Sequence, residues 1–254
     1  MDDKAMCDSF CAGIAQVLKA ESIAEVWRIF CGEMEELGFD LLLYGATSLS
    51  GGRDGGRLDE TLVLLNAPDA YADIVLGEEL YVHSLTFEWA ARHDGFVNWD
   101  QALRQMAVHP SPKQGQIRAL NAAFDVTAGY IGSLNKIVPG MRGVIGMSTA
   151  KRLDTKSTDR LWRDVGDLVE ILCNAMHLRI ATLPQTEILK PLTTRQLEVL
   201  HWCAEGKTIQ EIAIIMQISV GTVEKHMRMA RTSLEAENTA HAVRKATSLN
   251  LLTA

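Results

Sequence analysis

No run in this 254-residue sequence approaches the ~20 consecutive apolar residues that a membrane-crossing helix requires. The start, Met1-Asp2-Asp3, is acidic where a secretion signal would be basic. Together these point to a cytoplasmic protein with no membrane partner. Cysteine is sparse: the five, Cys7, Cys11, Cys31, Cys173 and Cys203, are odd in number and lack the paired spacing of a zinc module, as expected for reduced thiols. His83, His93 and His109 are also too widely spaced for a metal site, so no metal or cofactor is expected. Basic charge is in deficit, with a formal net charge of −7.

That deficit is uneven. From Lys190 onward eight Lys and Arg stand against six Glu and no Asp, a balance of +2, which leaves −9 on the residues before it. Within the basic part runs LTTRQLEVLHWCAEGKTIQEIAIIMQISVGTVEKHMRMARTSL, whose hydroxyl residues mark helix starts. Thr193 with Gln196, and Thr208 with Glu211, are capping boxes in which hydroxyl and N3 side chain each satisfy a backbone N–H. Ser219 is a third N-cap, reached through Gln217-Ile218. Beyond it Val223, Met227, Ala230 and Leu234 repeat at intervals of 4, 3 and 4, one buried face of a helix, while Glu224, Lys225, Arg228 and Arg231 project elsewhere.

This pattern resembles the LuxR-type helix-turn-helix. The matching residues are Leu192-Thr193, Arg195, Glu198-Val199-Leu200, Ala204-Glu205-Gly206-Lys207, Glu211-Ile212-Ala213, Ser219, Thr222-Val223, His226, Leu234 and Asn238-Thr239 to Ala242. Gln196 departs from the more usual Glu, but Gln serves the same capping role. The resemblance implies that Thr222, Glu224, Lys225, Arg228 and Arg231 face double-stranded DNA. Arg and Lys suit guanine edges or phosphate, and Glu can accept from cytosine. It further implies a homodimer on a palindromic site, assisted by a last helix from Asn238 to Leu249. With only +2 in the reading part, pairing would double the phosphate contacts and make binding salt-sensitive.

Residues 181–191, bracketed by Pro184 and Pro191, lack helical periodicity and read as a linker. The expected domains are 1–180, a sensory and dimerisation domain, and 192–254, a DNA-binding domain. In the first, helical patterns run over 8–20, 22–37, 113–123 and 155–178. Strand-like runs cover 40–46, 61–66, 96–99, 130–137 and 144–149, separated by turn-rich pieces such as Gly51 to Gly56 and Pro139-Gly140. Successive strands without helical crossovers favour an antiparallel sheet. The expected fold is α+β: an α-β-α sandwich around a central antiparallel sheet, then a small all-α domain of four helices.

This order of elements resembles the autoinducer-binding domain of LuxR-type quorum-sensing regulators. The family's Pro-x-x-Trp-x-x-x-Tyr, Asp-Pro, later Trp and small-Gly positions fall here on Pro68, Tyr71, Val75, Ser84-Leu85, Trp99 and Ala128-Gly129. The resemblance implies a ligand site with Tyr71, Val75, Ser84, Leu85, Trp89, Trp99, Gly129 and Tyr44 as candidates. Phe87 and Phe96 gather in the same stretch, where aromatics also serve as core, and Tyr44 suits a strand core equally well. Ser84 is also placed to cap a following helix. Val75 cannot donate where the family has Tyr, and neutral Ser84 replaces an acid that accepts the signal's amide N–H. Charge-assisted hydrogen bonds are roughly twice as strong as neutral ones, so the expected small-molecule signal is not a simple acyl-homoserine lactone.

The alternative is a ligand-independent regulator whose first domain binds a protein partner, an antiactivator or another regulator. A phospho-receiver fits poorly, because Asp2 and Asp3 precede any strand. Cys173 and His177 lie one helical turn apart but lack an orienting third group and an oxyanion-type turn, so no enzyme is expected.

Overall fold

A computed structural model describes residues 3–48, 61–106, 111–149, 153–184 and 192–252. The Gly51 to Gly56 turn, His109 and most of the 181–191 segment lie outside them. Two compact units divide between 181 and 182, one holding the described residues of 3–47 and 61–181, the other the described residues of 182–254. Among the described residues no helix is long and apolar enough to cross a membrane.

The first unit is built on five strands: β1 (Leu41–Ser48), β2 (Thr61–Asn66), β3 (Gly95–Asn98), β4 (Gly129–Ser133) and β5 (Met141–Ser148). Their order is β2-β1-β5-β4-β3, with β1–β2, β3–β4 and β4–β5 each antiparallel in register. Pairing anchors include Tyr44 opposite Leu64 and Ile131 opposite Gly146. Side chains alternate across a strand, so the sheet has two distinct faces to cover.

Helices α1 (Asp3–Lys19), α2 (Ile23–Glu36) and α7 (Thr155–Thr182) belong to one side. The hydroxyl of Ser22 accepts from the Glu25 backbone N–H to start α2, which buries Val26, Phe30 and Met34. Trp27 of α2 reaches the Tyr44 ring, and His177 of α7 reaches the Tyr44 hydroxyl, placing both helices over the same face. Trp162 of α7 stacks on Tyr130 at 4.1 Å between ring centroids and on Phe96 at 5.5 Å. The opposite face is covered by α3 (Asp69–Gly77), a 3-10 turn (Leu80–His83), α4 (Leu85–Arg92), α5 (Trp99–Met106) and α6 (Pro112–Ala123). Sequence periodicity anticipates α1, α2, α6 and α7 but not α3 to α5, which span eight or nine residues, less than the window in which a 3.6-residue period shows. Trp99, expected to end a strand, instead opens α5.

The second unit comprises α8 (Thr194–Ala204), α9 (Ile209–Met216), α10 (Val220–Ser233) and α11 (Thr239–Ser248). Both capping boxes form, with Thr193 N–H donating to Gln196 Oε1 at 2.9 Å and Thr208 N–H to Glu211 Oε2 at 2.8 Å. Ser219 caps α10 and Asn238 caps α11 through their side-chain oxygens. Gln217 ends α9 in the left-handed region at φ 55°, and Ile218 N–H closes on Ala213 O, so the chain turns within three residues into α10. Val199, Leu200, Ile212, Val223, Met227, Ala230 and Leu234 form the shared core. A helix as short as α10, 14 residues, is marginal alone, so this core holds it folded.

Candidate ligand cavity and nucleic-acid interface

Alternation along β1 explains where a cavity opens. Leu42 and Tyr44 point to the α2 and α7 side and are fully buried, whereas Leu41 and Leu43 point to the opposite side. There they line a cavity of about 310 Å³ together with residues of α3, α4, α6 and the 3-10 turn. Its apolar walls include Val75, Leu80, Leu85, Phe87, Ile117 and Leu120. Gly146 of β5 keeps the floor open beneath Phe87, for a methyl group there would stand 3.0 Å from the ring. The volume sits at the small end of the ~300–1,000 Å³ usual for small-molecule sites.

Five of the eight ligand candidates named from sequence meet here: Tyr71, Val75, Ser84, Leu85 and Trp99. Tyr71 is buried, its hydroxyl donates to Asn121 Oδ1 at 2.9 Å, and burial pushes its pKa up to about 12, so it remains a neutral phenol. Ser84 occupies the N-cap position of α4, yet its hydroxyl caps no backbone N–H and instead shares a 2.9 Å hydrogen bond with Thr86 Oγ1. The Trp99 indole N–H donates to the Tyr130 carbonyl at 3.0 Å, so its ring forms a wall while its donor is spent.

The other three candidates lie outside the lining, each for a local reason. Tyr44 is sent to the far face by the strand alternation, where its hydroxyl lies 2.7 Å from His177 Nδ1. Trp89 turns toward α5, donating to Gln105 Oε1 at 2.6 Å and stacking on His93. Gly129 backs onto Trp99, where an added methyl group would approach the indole to 2.6 Å and meet the Met147 carbonyl oxygen; it seats the tryptophan instead of touching the cavity. Sequence reasoning passed over Thr86, Tyr81, Gln114, Arg118 and Asn121, which also line it. The signal was present for α6, since Gln114, Arg118 and Asn121 recur at intervals of four and three and share one helical face.

In the second unit, Glu224, Lys225 and Arg228 are exposed on α10, opposite its buried Val223, Met227 and Ala230. Among the described residues neither Lys225 nor Arg228 is held by a carboxylate, which leaves both cations available to an outside anion. Thr222 and Arg231, expected beside them, are half-buried; the Thr222 hydroxyl lies 2.8 Å from Ser219 Oγ at the helix start. The Cys173 and His177 pair is sealed in the core. Burial raises the Cys173 pKa and lowers that of His177 to about 4, so both favour their neutral forms and neither is reached by solvent.

Residues 22–180 match the family described as autoinducer binding domain, and residues 190–246 match the family described as bacterial regulatory proteins, luxR family. Transcriptional activator protein VanR of Vibrio anguillarum is 34% identical over 198 residues, covering 75% of this chain and 77% of VanR. The HTH-type quorum sensing-dependent transcriptional regulator RpaR of Rhodopseudomonas palustris is 38% identical over 90 residues, or 35% of this chain and 37% of RpaR. Escherichia coli SdiA shares the fold over 98% of this chain and 100% of its own, with a TM-score of 0.52 and 18% identity. A further SdiA structure, in complex with octanoyl-rac-glycerol, aligns over 100% of this chain and 99% of its own at a TM-score of 0.52 and 19% identity. The chain belongs to the LuxR family of transcriptional regulators, with an autoinducer-binding domain ahead of a helix-turn-helix domain, and it is not an enzyme.

Proposed function

We propose that the chain regulates transcription in the cytoplasm as a homodimer on a palindromic DNA site, under the control of a small amphipathic molecule held in the cavity between β1, α3, α4 and α6. The observation that carries the ligand reading is the cavity itself, apolar on most sides and with its polar groups gathered on a few residues. Such a division of surface suits a molecule with an apolar body and one polar end. SdiA, which shares the fold, is known in complex with octanoyl-rac-glycerol, a molecule of that kind.

The ligand is not a simple acyl-homoserine lactone in this reading. Val75 offers no donor, Ser84 and Thr86 engage each other, and among the described residues no carboxylate lines the cavity to accept an amide N–H. On the DNA side, Lys225 and Arg228 supply phosphate or guanine contacts and Glu224 an acceptor for cytosine. Two copies place two α10 helices in successive major grooves, with half-sites about 10 base pairs apart. The ligand controls this by binding one association state better than the other.

Calorimetry on the full chain tests the ligand half. Nanomolar binding of a straight-chain acyl-homoserine lactone overturns the ligand class. Mobility shifts on palindromic and half-site DNA test the other half: retarded species with one protomer per intact palindrome overturn the dimer.

A further inference from the structure

The cavity has an electrostatic sign. Among the described residues that line it, Arg118 is the one formally charged side chain, and no carboxylate or imidazole accompanies it. Arg118 is exposed at the rim, and no acid among the described residues is paired with it. Its neighbour Lys113 differs, since Glu78 neutralises that ammonium at 3.3 Å.

Arg118 stands in a line of donors. Gln114, one turn before it on α6, uses its Oε1 to accept the Ser111 backbone N–H at 2.7 Å in the capping box that starts the helix. Asn121, one turn after, uses its Oδ1 to accept the Tyr71 hydroxyl at 2.9 Å. Both amides thus commit their carbonyl oxygens within the protein, and both leave their NH2 groups as the open end. A guanidinium flanked by two amide donors is suited to an anion, and the planar fork of Arg matches the two oxygens of a carboxylate. The opposing walls, Leu41, Leu43 and Leu85, are apolar.

We propose that the cavity selects an amphipathic carboxylic acid, its carboxylate held at the rim by Arg118 with Gln114 and Asn121 and its hydrocarbon body laid against β1 and α4. The inference rests on the reading of this cavity as the ligand site. It replaces the acid-in-protein, amide-in-ligand arrangement of the wider family with the reverse polarity: the cation is in the protein and the acid in the ligand.

The test uses the full chain and two probes of equal shape, decanoate and decanamide, in calorimetric titrations at neutral pH and low salt. The expected result is a preference for decanoate of about tenfold, collapsing to within about twofold in Arg118→Gln and partly retained in Arg118→Lys. Equal binding of both probes to the unaltered protein overturns the anion preference and leaves the cavity as a ligand site. A decanoate preference that survives in Arg118→Gln also overturns the assignment. If neither probe binds, at this length or in a six- to twelve-carbon series, the cavity reading falls and this inference with it.

Discussion

The Tyr44 hydroxyl and His177 Nδ1 lie 2.7 Å apart in a part of the core where neither residue meets solvent. His177 Nε2 has no hydrogen-bond partner there, and burial lowers the pKa of the ring to about 4 from its ordinary 6.5. A group whose folded pKa lies below its unfolded one binds more protons when unfolded. Its contribution is therefore complete above pH 6.5 and is lost as pH falls toward 4. Between pH 7 and pH 5 the first domain loses about 2 kcal/mol by this route. Thermal unfolding across that range checks it. His177→Gln, which keeps polar atoms but cannot titrate, flattens the slope.

Gly129→Ala drives a methyl group into the Trp99 indole and the Met147 carbonyl, and backbone cannot give way as a flexible side chain would. Overpacking of this kind costs about 1–3 kcal/mol. The substitution is expected to lower the unfolding midpoint and shift Trp99 fluorescence, whereas Gly115→Ala, on an exposed turn of α6 with nothing nearby, leaves the fluorescence unchanged and raises the midpoint slightly, because alanine is the better helix former.

Arg228→Ala weakens binding to a specific site by about 1–3 kcal/mol and relaxes preference at one position if the side chain reads a base. Lys225→Ala weakens specific and non-specific DNA alike and lowers the salt slope by about one if it meets phosphate. Mobility shifts at several salt concentrations distinguish the two roles. Loss of secondary structure in either variant is not expected, because both side chains are exposed.

Thr193→Ala removes the hydroxyl that accepts the Gln196 N–H at 3.3 Å and disturbs a box whose glutamine is buried. The cost is about 1 kcal/mol, read as a lower denaturant midpoint of the second unit. Thr193→Ser restores it.

Ser84→Asp supplies the carboxylate that is missing among the described residues of the cavity lining. Affinity for an acyl-homoserine lactone should rise about tenfold in calorimetric titration, since the new acceptor makes a charge-assisted hydrogen bond to the ligand amide. Unchanged affinity places position 84 out of reach of the ligand amide.

The second unit was legible because its signals are local. A hydroxyl and the residue three positions later decide three of the starts, and Thr193, Thr208 and Ser219 all cap as their spacing implies; Asn238, expected as the first residue of the last helix, is its N-cap instead. The sheet and its strands were legible from alternation and turn chemistry. The short helices between β2 and α6 were not, since eight residues show barely two turns of pattern. Part of the cavity escaped for a different reason. α6 buries none of its residues completely, so Gln114, Arg118 and Asn121 read as a solvated stripe until α3 is folded against them. Tyr44 and Leu43 are adjacent in sequence and face opposite layers, a choice set by the sheet's placement and not by either side chain.

The strand order also governs when the cavity comes into being. β1 lies beside β5, about 100 residues later in the chain, and the cavity draws its walls from Leu41 through to Gly146. At roughly 5–20 residues per second, a ribosome needs about 5–20 s to deliver β5 after β1 has emerged. Through that interval Leu41 and Leu43 have no β5 edge beside them, and an apolar strand in that condition is prone to mispairing. The pace of synthesis through this stretch is therefore expected to influence the yield of native protein alongside equilibrium stability.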